Sequence, residues 1–331
     1  MSVETNQQQA TFIVSTSPHI RSEESISKIM WSVNAALAPA ALFSIYQFGM
    51  PALVNMIICI VAAVATEYFI LKWQDKPMVI CDGSAFLTGL LLAMNIPPTV
   101  PWYMPVFGAI VAIGIAKHTM GGLGYNIFNP ALIGRAFLLA SWPIAMTTWP
   151  SMSSKVDGIT SATPLGILKL QGYEKLIEVF GDKGELYKSM FLGLRSGSMG
   201  ETSALLLILG GVYLIYRKYI NWQVPVVMIG TVGLLTWIFG GKAGLMTGDP
   251  ILHMMSGGLI LGAFYMATDM VTIPITLKGQ VIFAVGSGAL TVLIRLLGGY
   301  PEGVCYAILL MNCVTPLIDR MVRPVKYGAG R

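Results

Sequence analysis

Two polar stretches hold the residue types best suited to chemistry in this chain, and both lie between strongly apolar halves. The first is Asp157-Gly158-Ile159-Thr160-Ser161-Ala162-Thr163-Pro164-Leu165-Gly166. By residue type alone it is a turn: Asp-Gly followed by Pro is turn chemistry, and Ser and Thr hydroxyls bond to nearby backbone. The second is Gly197-Ser198-Met199-Gly200-Glu201-Thr202-Ser203, which leads into an apolar run. Glycines before a helix start leave backbone N–H groups free to hold an anion or a ring edge. The plainer alternative is that this stretch only caps the helix that follows.

A third set is ionisable: Glu67, Asp82, Arg135, Asp249, Asp269 and Glu302 stand near or within apolar segments. Charges inside a membrane are costly and face the bundle interior or a wet cavity. Glu67 and Arg135 are the deepest; they are either partners in a polar path, or else a structural ion pair or snorkelling ends. Asp82 and Asp249 stand where helices begin, and a carboxylate there satisfies free N–H groups. His118 and His253 read as hydrogen-bonded structural residues. Cys59, Cys81, Cys305 and Cys313 form no C-x-x-C pair and read as small apolar filler, with an intramembrane iron–sulfur ligand set as the alternative. No P-loop, metal-ligand cluster or nucleophile–base set is present in the sequence.

The elements that must position these residues are membrane helices. Of 331 residues, 55% are hydrophobic and only 11% charged, with a mean hydropathy of +0.69; soluble chains carry about a quarter charged residues. Apolar runs recur near the roughly 20 residues that cross a bilayer. The fold class expected is an all-α polytopic membrane protein. About ten spans fall at 30–48, 52–71, 83–96, 102–117, 126–146, 202–217, 222–240, 250–268, 279–297 and 302–318. The expected divisions are an N-terminal segment 1–28, a first membrane repeat 29–146, a loop 147–201, a second repeat 202–318 and a tail 319–331.

The halves look alike. Asp82-Gly83-Ser84 opens one span as Gly248-Asp249-Pro250 opens another, and Gly121-Gly122-Leu123-Gly124-Tyr125 is echoed by Gly298-Gly299-Tyr300. Five spans per half make such repeats antiparallel, the pattern of an inverted-repeat core. Basic residues set orientation. The segments holding Lys28, Lys72, Lys76, Lys117, Arg217, Lys218, Lys278 and Arg320 fall on one side, and the short loops opposite hold only Lys242 and Arg295. Both termini are therefore expected inside, with 157–163 on the outer face. The net charge of +5 is small and gives no ground for a nucleic-acid partner.

The order Asp-x-x-Thr-Ser-Ala-Thr resembles the acceptor motif of flavin transferases, D-x-x-(S/T)-(G/S)-A-T, whose last Thr carries FMN as a phosphoester. Matched by residue, Thr163 is the attachment point, Asp157 the fixed acid, and Thr160, Ser161 and Ala162 complete the motif. Ser17-Pro18-His19 and the stretches at 82–92, 121–132, 197–203, 248–250, 267–269 and 311–317 agree in order with it. Over nearly its whole length the chain resembles the RnfD/NqrB family, more nearly RnfD because its segment before the first span is short. The resemblance implies a bacterial or archaeal inner-membrane component of an ion-pumping ferredoxin:NAD+ oxidoreductase complex. It implies covalent FMN on Thr163 and a second, noncovalent flavin, riboflavin, which no residue pattern locates. Implied partners are the other Rnf subunits (A, B, C, E and G), a flavin transferase and membrane lipid. Gly197, Ser198, Gly200 and Glu201 share the flavin's loop and are expected to line it. Two alternatives stand beside this reading: the NqrB subunit of a Na+-pumping NADH:quinone oxidoreductase, and a urea-transporter-like channel on the same inverted repeat, for which 157–163 is only a turn.

Overall fold

The computed structural model describes residues 24–149, 163–193, 197–241 and 244–323. Sequence landmarks at 1–23, 157–162, 242 and 324–331, Asp157, Thr160, Ser161 and Ala162 among them, lie outside the described residues. Among the described residues there are fifteen α-helices and no strand. The first group is α1 (Ile26–Phe48), α2 (Met50–Trp73), α3 (Ser84–Met94), α4 (Tyr103–Ile110), α5 (Pro130–Ser141) and α6 (Pro143–Thr147). Three short helices follow: α7 (Pro164–Leu170), α8 (Tyr173–Phe180) and α9 (Lys183–Leu192). The last group is α10 (Ala204–Tyr216), α11 (Gln223–Phe239), α12 (Pro250–Met255), α13 (Leu259–Leu261), α14 (Leu277–Leu297) and α15 (Val304–Met321). The ladder widens to π geometry over Val111–His118, continuing α4, and over Gly262–Met266, continuing α13.

Four helices, α1, α2, α14 and α15, are long and apolar enough to cross a membrane. Leu42, Val54, Ile57, Val61 and Phe69 on the first two are exposed, as a lipid-facing surface requires. The chain is a multi-pass membrane protein. Its helices pack by close backbone approach, as membrane helices do where small residues allow it. A Cβ on Gly89 of α3 would stand 2.7 Å from Ile60 Cα of α2, so only glycine fits there.

Local sequence sets the helix starts. Asn129 accepts from the Ala131 and Leu132 N–H groups, with Pro130 in the first turn of α5. Asp249 caps α12 through the Leu252 N–H, fulfilling its expected role. Asp82 accepts from the Ser84 N–H at 2.9 Å at the start of α3. The segment expected to cross as one span from 250 to 268 is broken at Ser256-Gly257-Gly258, both glycines having positive φ.

Contacts sort the helix ends onto two faces. On the N-terminal face, Trp31 and Asn34 of α1 donate to the carbonyls of Cys81 and Gly83, and Tyr219 donates to Glu24. On the loop face, Asn55 of α2 donates to the Pro98 carbonyl, and the Met199 N–H donates to the Ile96 carbonyl. The stretch 163–192, expected as plain loop, is three helices with a small core of their own: Ile167, Leu176, Leu186 and Met190, closed by Leu252 of α12.

Candidate functional site

Thr163 begins α7 and is buried, 5% exposed. Its Oγ1 accepts the Gly166 N–H at 3.1 Å, and its carbonyl accepts the Ile167 N–H at 2.9 Å. Leu165, two residues on, packs on Gly257: a Cβ there would stand 2.7 Å from Leu165 Cδ1. Glu201 reaches the neighbouring Gly258, with Oε1 3.9 Å from where a Cβ would lie. Leu165 of α7 and Glu201 of the 197–201 stretch therefore approach neighbouring glycines of the break between α12 and α13.

Within the second stretch, Ser198 Oγ donates to Glu201 Oε1 at 3.1 Å, and both side chains are buried. Gly200 is wedged against the end of α3: a Cβ would stand 2.7 Å from the Met94 carbonyl oxygen. Its lack of a side chain serves that close approach. The cap of α10 is Ser203, which accepts from the Leu206 N–H.

Two arginines brace the loop face. Arg295, expected in an outer loop, is instead 4% exposed in the last turn of α14. Its guanidinium donates to the carbonyls of His253 (2.6 Å), Ser256 (2.8 Å) and Glu302 (3.0 Å), satisfying backbone groups that the helix break leaves free. Arg135 of α5 is paired with the Glu302 carboxylate and donates to Asn95 Oδ1 at 2.9 Å. The reading of Glu67 and Arg135 as one path is thereby excluded; each has its own partner.

A cavity of about 1,200 Å³ opens beside α7. Leu165, Leu168 and Lys169 form one wall; Tyr173, Tyr187 and His253 contribute to the others. Tyr173 and Tyr187 donate to Asp249 Oδ2 at 2.9 and 2.6 Å, tying α8 and α9 to α12. Burial, then the Asp249 carboxylate, pushes the Tyr173 phenol up to about 12 and the Tyr187 phenol further upward. Lys169 donates to the Arg295 and Tyr300 carbonyls at 3.0 and 3.2 Å, and burial lowers its pKa.

The N-terminal face carries a different cluster. Lys117, 2% exposed, donates to Glu67 Oε1 and to Ser84 Oγ, each at 2.7 Å. Ser84 Oγ in turn donates to the Asp82 carboxylate at 2.8 and 2.9 Å. His118 Nε2 lies 3.6 Å from Glu67 Oε1. Lys117 and His118 are adjacent, and the π segment turns both toward α2. Glu67 Oε2 and both His118 ring nitrogens have no hydrogen-bond partner. Beside the cluster lies a second cavity, lined among others by Ser84, Thr88, Lys117, Asn126, Asn129 and Asp269. Asn126 Oδ1 is buried there without a partner.

Sequence reasoning missed Lys117 and Ser84 as interior residues. Lys117-His118 closes an apolar run and reads as a basic flank; the detectable signal was that Glu67, two helices earlier, needs a buried cation. Among the described residues no group of three His, Cys, Asp or Glu side chains is arranged to hold a metal ion.

An apolar helical bundle with a broken helix, two buried cation clusters and a cavity at each face defines a polytopic membrane protein with polar sites held inside the bundle. The chain belongs to the NQR2, RnfD, RnfE family, whose model matches residues 13–328. It is 68% identical to the D subunit of the proton-translocating ferredoxin:NAD(+) oxidoreductase complex of Clostridium ljungdahlii, over 97% of each chain. It is 46% identical to the D subunit of the Na(+)-translocating ferredoxin:NAD(+) oxidoreductase complex of Acetobacterium woodii, over 95% of each. The D subunit of an ion-translocating oxidoreductase complex of Stutzerimonas stutzeri is 40% identical over 92% of each.

Proposed function

We propose that this chain is the D-type membrane subunit of an ion-translocating ferredoxin:NAD+ oxidoreductase complex, with FMN held as a phosphoester on Thr163. The observation that carries the reading is the position of Thr163: its hydroxyl oxygen stands at a helix start, one turn from a large cavity. Cavities of roughly 300–1,000 Å³ already hold drug-sized ligands, so the space beside α7 suffices for a flavin. When bound, the flavin would supply the electron-transfer chemistry, while the protein supplies attachment, orientation and exclusion of water. Thr163 would anchor it, and Ser198, Gly200 and Glu201 would border it across the α12–α13 break.

Thr163 is buried where α7 is docked, so transfer of the flavin would precede that docking. The loop face is assigned outside the cell and the N-terminal face inside, following the basic residues. Helix pairs α2–α4 and α4–α5 have counterparts in α11–α14 and α14–α15, which supports two five-helix repeats. Electrons pass to and from carriers on the A, B, C, E and G subunits.

The test is in-gel flavin fluorescence of the denatured chain co-expressed with a flavin transferase. A fluorescent band in the wild type that vanishes in Thr163→Ala is expected. No band in the wild type, with a working transferase control, would reduce 157–163 to a turn and return the chain to the transporter reading.

A further inference from the structure

Most polar groups on the wall of the loop-face cavity are spent on the protein itself. Lys169 donates to the Arg295 and Tyr300 carbonyls, and Tyr173 and Tyr187 both donate to Asp249. Asp249 also caps α12, and Arg295 is held by the carbonyls of His253, Ser256 and Glu302. Glu174, Lys183 and Thr247 are exposed. His253 differs. It lines the same cavity and is only 3% exposed. Its Nδ1 is buried without a hydrogen-bond partner among the described residues. Arg295 and Asp249 are the charged groups near its ring, and neither bonds to it. A buried polar group with no partner calls for an explanation, and a place on the wall of about 1,200 Å³ of open space supplies one.

Contacts also tie this imidazole to the helix that Thr163 begins. Leu165 Cδ1 and Arg295 Nη2 both stand 2.7 Å from where a Cβ on Gly257 would lie. The same guanidinium donates to the His253 carbonyl at 2.6 Å. The first turn of α7 and the His253 turn of α12 are therefore neighbours across Arg295.

We infer that His253 is a binding residue for the flavin ring, hydrogen-bonding the polar edge of the isoalloxazine in the loop-face cavity. The inference rests on the proposed attachment of FMN at Thr163. The ring system has two unlike ends. One carries carbonyl oxygens and ring nitrogens, which pair with an imidazole as donor or acceptor according to tautomer. The other is a dimethylated benzene ring, suited to the apolar wall that Leu168, Leu235 and Leu293 supply. A phosphoester alone leaves the ring free to turn about its ribityl chain. A hydrogen bond to His253 fixes which edge meets the protein.

The experiment uses the full-length Thr163→Ala chain in detergent, on which no flavin is covalently held. It is titrated with FMN while the quenching of FMN fluorescence is followed, and saturable binding is expected. Adding His253→Leu should weaken binding about 10-fold, the scale of one hydrogen bond in a desolvated site. Adding His253→Gln instead should keep most of the affinity, because the amide supplies both a donor and an acceptor. Without FMN, the Leu variant should melt no lower than its parent, since Nδ1 has no partner in the protein to lose. Unchanged FMN affinity in the Leu variant, or a Gln variant as weak as Leu, would overturn the inference. A flavin-free Leu variant that melts well below its parent would give the imidazole a structural role instead and overturn it too. A Thr163→Ala chain that binds no FMN would also remove it. In each case the in-gel band of the flavin-loaded wild type reports separately on attachment at Thr163.

Discussion

The two faces solve the same problem, a buried positive charge, in opposite ways. On the loop face, Arg295 is spent on backbone carbonyls and Arg135 on Glu302 and Asn95. A guanidinium stays charged at all accessible pH and presents a rigid fork of donors, so it can brace a broken helix but not pass a proton. On the N-terminal face, Lys117 holds Glu67 and Ser84 and still borders a cavity. An ammonium can become a neutral amine. The loop face therefore braces a helix break with fixed forks of donors, and the N-terminal face neutralises its cation with a single carboxylate and a hydroxyl.

The contrast can be broken first at the acids. Glu302→Gln would strand the Arg135 charge in the interior, a loss of about 3–5 kcal/mol, read as a large fall in thermal stability in detergent. Replacing Arg135 by Met and Glu302 by Leu together should recover most of it. Glu67→Gln should cost less, about 1–3 kcal/mol, because the Gln amide oxygen and Ser84 Oγ can both still accept from Lys117. Equal losses in the two variants would remove the distinction between the faces.

Smaller effects sharpen the loop-face side. Gly200→Ala would place a methyl against the Met94 carbonyl and Leu261, with a loss of about 1–3 kcal/mol from overpacking. Tyr173→Phe should cost about 1 kcal/mol or less, since one neutral donor to Asp249 is lost and Tyr187 still donates. The same bond gives a pH dependence. The Tyr173 phenol rises from 10.0 to about 12 in the folded protein. Its contribution is complete below pH 10 and is lost as pH climbs through about 12. Limited proteolysis of α8 and α9 should accelerate over that window in the wild type, and less so in the Phe variant.

Helix positions were legible in the sequence because apolar runs and caps are local. Asn129-Pro130 and Asp249-Pro250 announce their helices, and the observed starts follow them. The break at Ser256-Gly257-Gly258 was less visible, since two glycines in an apolar run also suit a packed helix. Of the candidate site, Thr163 and the 197–201 stretch were singled out from a motif and shared loop position. The approach of Leu165 and Glu201 to Gly257 and Gly258 depends on a chain fold that brings the second half across them. Lys117 and Arg295 were misplaced for one reason: a basic residue at the end of an apolar run has the same local pattern whether it points to water or inward. Only the partners, Glu67 and the carbonyls of the α12–α13 break, decide which.

The most direct test of a loop face that fixes a flavin at Thr163 is the flavin content of the purified chain before and after acid precipitation. One flavin fraction should stay with the precipitated protein, on a peptide containing Thr163, while a second is released as riboflavin. Complete release of all flavin into the supernatant would contradict this, because nothing would then be fixed at Thr163.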